Sequence, residues 1–166
     1  MELALEAEIS KGSVFGIKVR MTPDNEEHTA IIVDASAHTL SIDTTQSSLS
    51  PDVYQASPLF RVESREDVRV QTAPFRLESG ERLRLRVFID RPILEVFANG
   101  RQCVTQRIYP TRPDSLGVGL FSRGGTTTVL SMDAWDMAAT TLSAQEAAKR
   151  GPLVNDQIAG QFERDT

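Results

Sequence analysis

The stretch from Leu83 to Pro110, LRLRVFIDRPILEVFANGRQCVTQRIYP, limits what this chain can fold into more than any other segment. Leu83, Leu85, Val87 and Ile89 alternate with Arg82, Arg84 and Arg86, the period-two pattern of a strand with one buried and one wet face. Asp90-Arg91-Pro92 interrupts the pattern and a second strand follows from Ile93 to Ala98. Asn99-Gly100 then supplies the two positive φ angles that a two-residue type I′ hairpin requires before a third strand, Gln102 to Ile108. Three antiparallel strands in succession make a meander.

The same alternation places strands at Glu2–Ser10, Val14–Met21, Thr29–Asp34, Thr39–Asp43, Val68–Thr72, Arg82–Asp90, Gly117–Ser122 and Thr127–Met137. Lys11-Gly12, Pro23-Asp24-Asn25, Ser79-Gly80, Pro113-Asp114-Ser115 and Gly124-Gly125 carry the residue types that turns select. Many short strands with turns between them predict an all-β sandwich or barrel rather than a parallel sheet with crossovers. Thr44–Ser57 is polar and aperiodic, so it reads as a long loop over one end or face, the kind of segment that gathers binding residues.

Composition excludes several classes of function. The 166 residues are enough for one sizeable core, and a chain 40% hydrophobic and 25% charged sits in the ordinary globular range. Net charge is −5 and the basic residues are scattered, which argues against nucleic acid as a partner. No stretch approaches the roughly 18 apolar residues of a membrane span, so no membrane partner is expected. MELALEAEIS lacks the basic start and apolar run of a secretory signal, and the compartment stays open. Cys103 is the only cysteine; between Gln102 and Val104 it reads as a half-buried strand thiol with no disulfide partner. His28 and His38 stand apart from other ligand residues, and the glycines at 117, 119, 124 and 125 precede strands rather than helices, so neither a metal nor a cofactor is expected.

One segment carries a family signature. Leu85-Arg86-Val87-Phe88-Ile89-Asp90-Arg91-Pro92-Ile93-Leu94-Glu95-Val96-Phe97-Ala98-Asn99-Gly100, followed by Tyr109-Pro110, resembles the C-terminal β-sandwich domain of glycoside hydrolase family 32, the invertases, levanases, inulinases and related β-fructosidases. Pro92 departs from the pattern, standing where the family usually has Ser. The similarity extends over roughly residues 2–137, through Leu3–Arg20, His28–Asp43 and Gly117–Met137. It implies two packed antiparallel sheets of the jelly-roll or concanavalin type, a β-sandwich domain at 1–138 and a C-terminal extension at 139–166. A chain that opens inside the first strand of such a domain reads as an excised piece or a truncated gene.

The extension is read from its residues. Ser143 and Glu146 are spaced as a capping box, which predicts a short helix from Ala144 to Arg150 stopped by Gly151-Pro152. Val154, Ile158 and Phe162 then recur as one narrow apolar stripe, and the segment is either docked or disordered.

The resemblance also says where chemistry should lie. In that family the hydrolytic carboxylates sit in N-D-P, R-D-P and E-C motifs of a five-bladed propeller that precedes the sandwich. Here Asn155-Asp156 is followed by Gln157, Asp90-Arg91-Pro92 has the reverse order, and Gln102 precedes Cys103. Nothing here builds the paired carboxyls that a retaining glycosidase needs. The resemblance therefore implies a non-catalytic accessory domain of an enzyme acting on sucrose or fructans, with a propeller in the same enzyme or another subunit as its partner. An autonomous glycosidase is the weakest reading.

A fructan-binding module remains as an alternative, since relatives of this domain hold a terminal fructose on a sheet face. Glu95 shares a face with Ile93 and Phe97, and a carboxylate there can accept sugar hydroxyls while a ring packs on C–H groups. Asp90 and Arg91 in the adjoining turn complete that candidate site. Asp34 and Asp43, each ending a strand, are candidates for the same rim, and Trp135 is either core, an interface contact or a stacking platform. Alternation equally allows Glu95 an ion pair with Arg84, Arg86 or Arg107 that only fixes register.

Overall fold

The computed structural model describes residues 1–53 and 68–138. The chain divides into two compact units, Met1–Asp136 and Met137–Thr166, and every strand described belongs to the first. Among the described residues there is no helix. The expected helix at 144–150 and the stripe after it lie outside them.

Ten strands run in chain order: β1 Glu2–Ile9, β2 Val14–Met21, β3 Thr29–Asp34, β4 Thr39–Asp43, β5 Val70–Pro74, β6 Leu83–Asp90, β7 Ile93–Ala98, β8 Gln102–Arg107, β9 Gly117–Arg123 and β10 Thr127–Trp135. They pair into a front sheet ordered β10-β1-β6-β7-β8 and a back sheet ordered β5-β4-β3-β2-β9, antiparallel throughout. The expected two-sheet antiparallel sandwich is thus the observed architecture. Sequence placed the fifth strand at 68–72; it runs two residues later. Thr44 takes the Arg69 carbonyl with both its amide (2.8 Å) and its hydroxyl (2.8 Å), which fixes where pairing starts. Pro74, whose missing N–H reads as a strand terminator, is tolerated because β5 is an edge strand.

Alternation sets the core. Leu3, Leu5 and Ala7 of β1, Leu83, Leu85, Val87 and Ile89 of β6, and Leu94 and Val96 of β7 point inward from the front sheet and are buried. Phe15, Ile17 and Val19 of β2 meet them from the back sheet with Ile31, Val33, Leu40 and Ile42. Each large side chain buried this way stabilises the fold by about 1.5–3 kcal/mol before entropy is counted. A register shift between Glu6 and Ala7 leaves Leu130 as an extra residue on β10.

Among the described residues the sheets are joined along the β5/β8 side. There β5 lies over β8, Gln102 Nε2 donates to the Pro74 carbonyl (2.7 Å), and the Arg101 guanidinium covers the buried Phe75 ring at 5.2 Å. The β7–β8 hairpin turns on Asn99 (φ 49°) and Gly100 (φ 64°), as Asn-Gly predicts. The Asn99 side chain accepts from the Arg84 amide (2.7 Å) and donates to the Arg82 carbonyl (2.9 Å) and Glu81 (2.7 Å), tying the turn to β6.

Candidate functional site

Cross-strand register arranges the outer face of the front sheet in rows. One row runs Trp135, Glu2, Phe88, Glu95, Thr105 from β10 to β8; the next runs Asp133, Ala4, Arg86, Phe97, Cys103. Phe88 and Phe97 meet edge to face at 5.9 Å. Arg86 lies over the Phe88 ring, 5.8 Å from its centre, and its Nε donates to Glu2 (2.6 Å). Arg84 turns to Glu6 (3.3 Å), and Arg82 to Glu6 (3.4 Å) and Glu8 (3.1 Å). The glutamates of β1 therefore occupy the arginines of β6. Among the described residues no hydrogen bond or ion pair holds the Glu95 side chain. The pairing with Arg84 or Arg86 that alternation allowed is not made.

Beside this row the surface dips into a groove of ≈ 480 Å³ lined by Ala4, Glu6, Arg84, Arg86, Phe97 and Asn99, among others. Its polar lining is engaged within the fold, Glu6 with Arg84 and Arg82, Arg86 with Glu2 and the Asn99 amide with Glu81, and Asp90, Arg91 and Glu95 do not line it.

Asp90 and Arg91 form the β6–β7 turn at one end of this face, with Asp90 paired to Ile93. Arg91 has φ 52°, unusual for a side-chain-bearing residue, and the Pro92 carbonyl accepts from the Ile108 amide (2.7 Å), which fixes the turn to the strand beyond. Glu95 lies two positions along β7 from Ile93, the partner of Asp90, so Asp90, Arg91 and Glu95 share one hairpin, and no hydrogen bond or ion pair joins their side chains to one another. Asp34 and Asp43 are on the back sheet, at opposite ends of the β3–β4 hairpin. Asp34 Oδ1 accepts from the Ser36 hydroxyl (2.6 Å) and the amides of Ala37 (2.8 Å) and Ser36 (2.8 Å), bonds that hold its carboxyl below the usual carboxylate range. Asp43 accepts from the Thr45 amide and hydroxyl and lines a small pocket with Lys18, His28 and Arg123. Burial, with the Lys18 charge nearby, pushes the His28 imidazole below its ordinary value. Neither aspartate joins Asp90. Trp135 is 47% exposed, so it is not core, and three strand spacings separate it from Glu95, about 14 Å. Cys103 is exposed rather than half-buried, because its parity puts it in the outer row with Phe97.

Sequence reasoning missed the strongest polar cluster. Glu27, in the β2–β3 loop, is 0% exposed. Its carboxylate accepts from the Thr111 amide (2.8 and 2.9 Å), the Thr111 hydroxyl (2.6 Å), the Arg112 amide (3.2 Å) and the Ser115 hydroxyl (2.8 Å). Burial alone pushes this carboxyl up, but those bonds outweigh it and bring it below its ordinary value. On the rim Arg112 bridges Asp24 and Asp114. The cluster clamps the segment leading into β9 onto the back sheet. Among the described residues no group of three His, Cys, Asp or Glu side chains is placed to hold a metal ion.

Two antiparallel sheets packed face to face, with a buried polar clamp at one end, define a β-sandwich module. The family model described as "Glycosyl hydrolases family 32 C terminal" matches residues 1–136, and the chain belongs to that family as its C-terminal domain. It is 34% identical over 134 residues to levanase from Bacillus subtilis (strain 168), covering 79% of this chain and 18% of the levanase. To beta-fructofuranosidase, insoluble isoenzyme 5, from Oryza sativa subsp. japonica it is 29% identical over 143 residues, covering 80% of this chain and 24% of that protein. Exo-inulinase from Aspergillus awamori superposes with a TM-score of 0.61 at 26% identity, covering 76% of this chain and 22% of that one. The chain thus spans a quarter or less of these relatives. It is an accessory domain, and the catalytic domain with which such domains belong in this family is not in this chain.

Proposed function

We propose that this domain packs on the propeller catalytic domain of a β-fructosidase acting on sucrose or fructans and stabilises it, without taking part in bond cleavage. The observation that carries this reading is the match of residues 1–136 to the C-terminal domain of enzymes whose remaining three quarters have no counterpart here. The polar network built into the fold, around Glu27, is consumed by structural bonds. The purified chain is expected to release no fructose from sucrose, inulin or levan. Fructose release by the chain alone overturns the reading.

A second role is favoured by one observation, the side chain of Glu95 left without a partner among the described residues, on the same face as Ile93 and Phe97 in the hairpin whose turn holds Asp90 and Arg91. In this reading the outer face of the front sheet holds a fructose-ended oligosaccharide. Glu95 accepts its hydroxyls, Arg91 donates, and Phe97 packs against its C–H groups. Asp34 and Asp43 belong to the other sheet and take no part, and Trp135 is too distant to reach the same sugar. Isothermal titration with levan- and inulin-type oligosaccharides, with Glu95→Ala as the paired protein, tests it. Binding lost in the variant supports the role, and no binding by either protein removes it while leaving the accessory role intact.

A further inference from the structure

The two long sides of the sandwich differ. On the β5/β8 side the core is sealed, as described. On the other side β9 and β10 are the outermost strands of their sheets among the described residues. Register sets Leu120 of β9 opposite Ile17 and Val129 of β10 opposite Ala7, so both point into the space between the sheets. Their partners are fully buried, yet Leu120 is 44% and Val129 38% exposed, and Leu130 at the bulge is 42% exposed. Ala134, opposite the buried Leu3, is exposed as well. Here core-facing side chains meet solvent between two strand edges that pair with no other strand among the described residues. Such a strip is a liability unless another body covers it.

We infer that this seam between β9 and β10 is the surface on which the N-terminal catalytic domain of the family seats, an inference that rests on the accessory-domain reading above. Two observations choose that occupant. The matched segment is the C-terminal part of relatives whose remaining length is at least three times greater, so the body available to cover the seam precedes β1 in those chains. Polypeptide leading into β1 arrives beside the seam, because Glu2 is paired with Trp135 at the end of β10. Leu116, just ahead of β9, is exposed at that same end and extends the apolar strip toward the point of entry, while Trp135 stands exposed on the adjoining outer face of the front sheet. An apolar strip without charged side chains at its centre, here Leu120, Val129 and Leu130, is the composition of an interface core.

The test is a chimera in which the matched segment of the Bacillus subtilis levanase is replaced by this chain, compared with levanase lacking that segment. The chimera is expected to regain the thermal half-life of levan cleavage that the truncated enzyme loses. The double substitution Leu120→Asp, Leu130→Asp should abolish that gain, while Thr105→Asp on the outer face of the front sheet should keep it. Melting of the separate chain, unchanged by the double substitution, establishes that the variant folds. A seam variant that protects as well as the parent overturns the seam and leaves the accessory role standing. A chimera no more durable than the truncated enzyme overturns both. A dimer of the chain alone, split by the double substitution, assigns the seam to a second copy and overturns the proposal.

Discussion

Removing the Glu27 carboxylate should be among the most damaging single changes this domain can suffer. Glu27→Ala strips the acceptor from two amides, Thr111 and Arg112, and two hydroxyls, Thr111 and Ser115, at a residue with no solvent exposure. Orphaned buried donors cost about 1–3 kcal/mol each when nothing replaces the partner. Hydroxyls can turn and water can enter the space left, so a total of about 3–5 kcal/mol is expected. Glu27→Gln keeps one oxygen for the Thr111 and Arg112 amides and the Ser115 hydroxyl but loses the charge, and should cost about 1–2 kcal/mol. Urea unfolding at fixed salt measures both. The pH dependence follows from the lowered carboxyl value in the folded state. Because the unfolded chain takes up the proton first, Glu27 contributes its full stability above about pH 4.5–5 and loses it as pH falls through the folded value. The stability gap between the native protein and Glu27→Gln should therefore be constant from pH 7 to 5 and close below pH 4. An alanine variant within about 1 kcal/mol of the parent at pH 7, or a gap indifferent to acid, would refute the reasoning.

Other changes have clear expected outcomes. Asn99→Ala should cost about 2–3 kcal/mol in denaturant unfolding, from the lost bonds to the Arg84 amide and Arg82 carbonyl plus a positive φ without the asparagine side chain, and Asn99→Gly should cost less. Gly16→Ala should destabilise by about 2 kcal/mol, since its Cβ would fall 2.9 Å from the Ile31 carbonyl and against the Phe121 ring, and Phe121→Leu in the same chain should recover part of the loss. Arg84→Ala should change stability by less than about 0.5 kcal/mol, because its pairing with Glu6 is solvent-exposed. Cys103 should react with one equivalent of a disulfide reagent without denaturant, whereas a buried thiol would need unfolding first.

How much of this was legible in the sequence depends on the range of the interactions involved. The β6–β7–β8 meander could be read almost to the residue, because alternation, Asn-Gly and the Asp-Arg-Pro break are local signals. Glu27 could not be read. Within Asn25-Glu26-Glu27-His28 it looks like one more solvated charge, and its partners arrive 84 to 88 residues later. The pairing of Glu2 with Arg86 was equally hidden, because alternation shows which face a charge occupies but not which neighbouring strand claims it. Trp135 and Cys103 illustrate the same gap, since parity alone does not tell which face of a strand is wet. That Asp90, Arg91 and Glu95 share one hairpin is a local property of the sequence, whereas placing Asp34 and Asp43 required knowing which sheet each strand joins.

The position of β1 has a consequence for how the domain comes into being. It lies between β6 and β10, so the first strand of the domain cannot be paired on either side until about 80 residues more have been synthesised, and its second neighbour is the last of the described strands. The back-sheet strands β2, β3 and β4 are sequential neighbours and can assemble while the ribosome is still working. Until β6 emerges, the backbone of β1 has no strand to pair with in the front sheet, for seconds at ordinary rates of synthesis. Completion of the front sheet is therefore a late event, and the domain's exposure to chaperones and to misassembly with other nascent chains is set by its strand order.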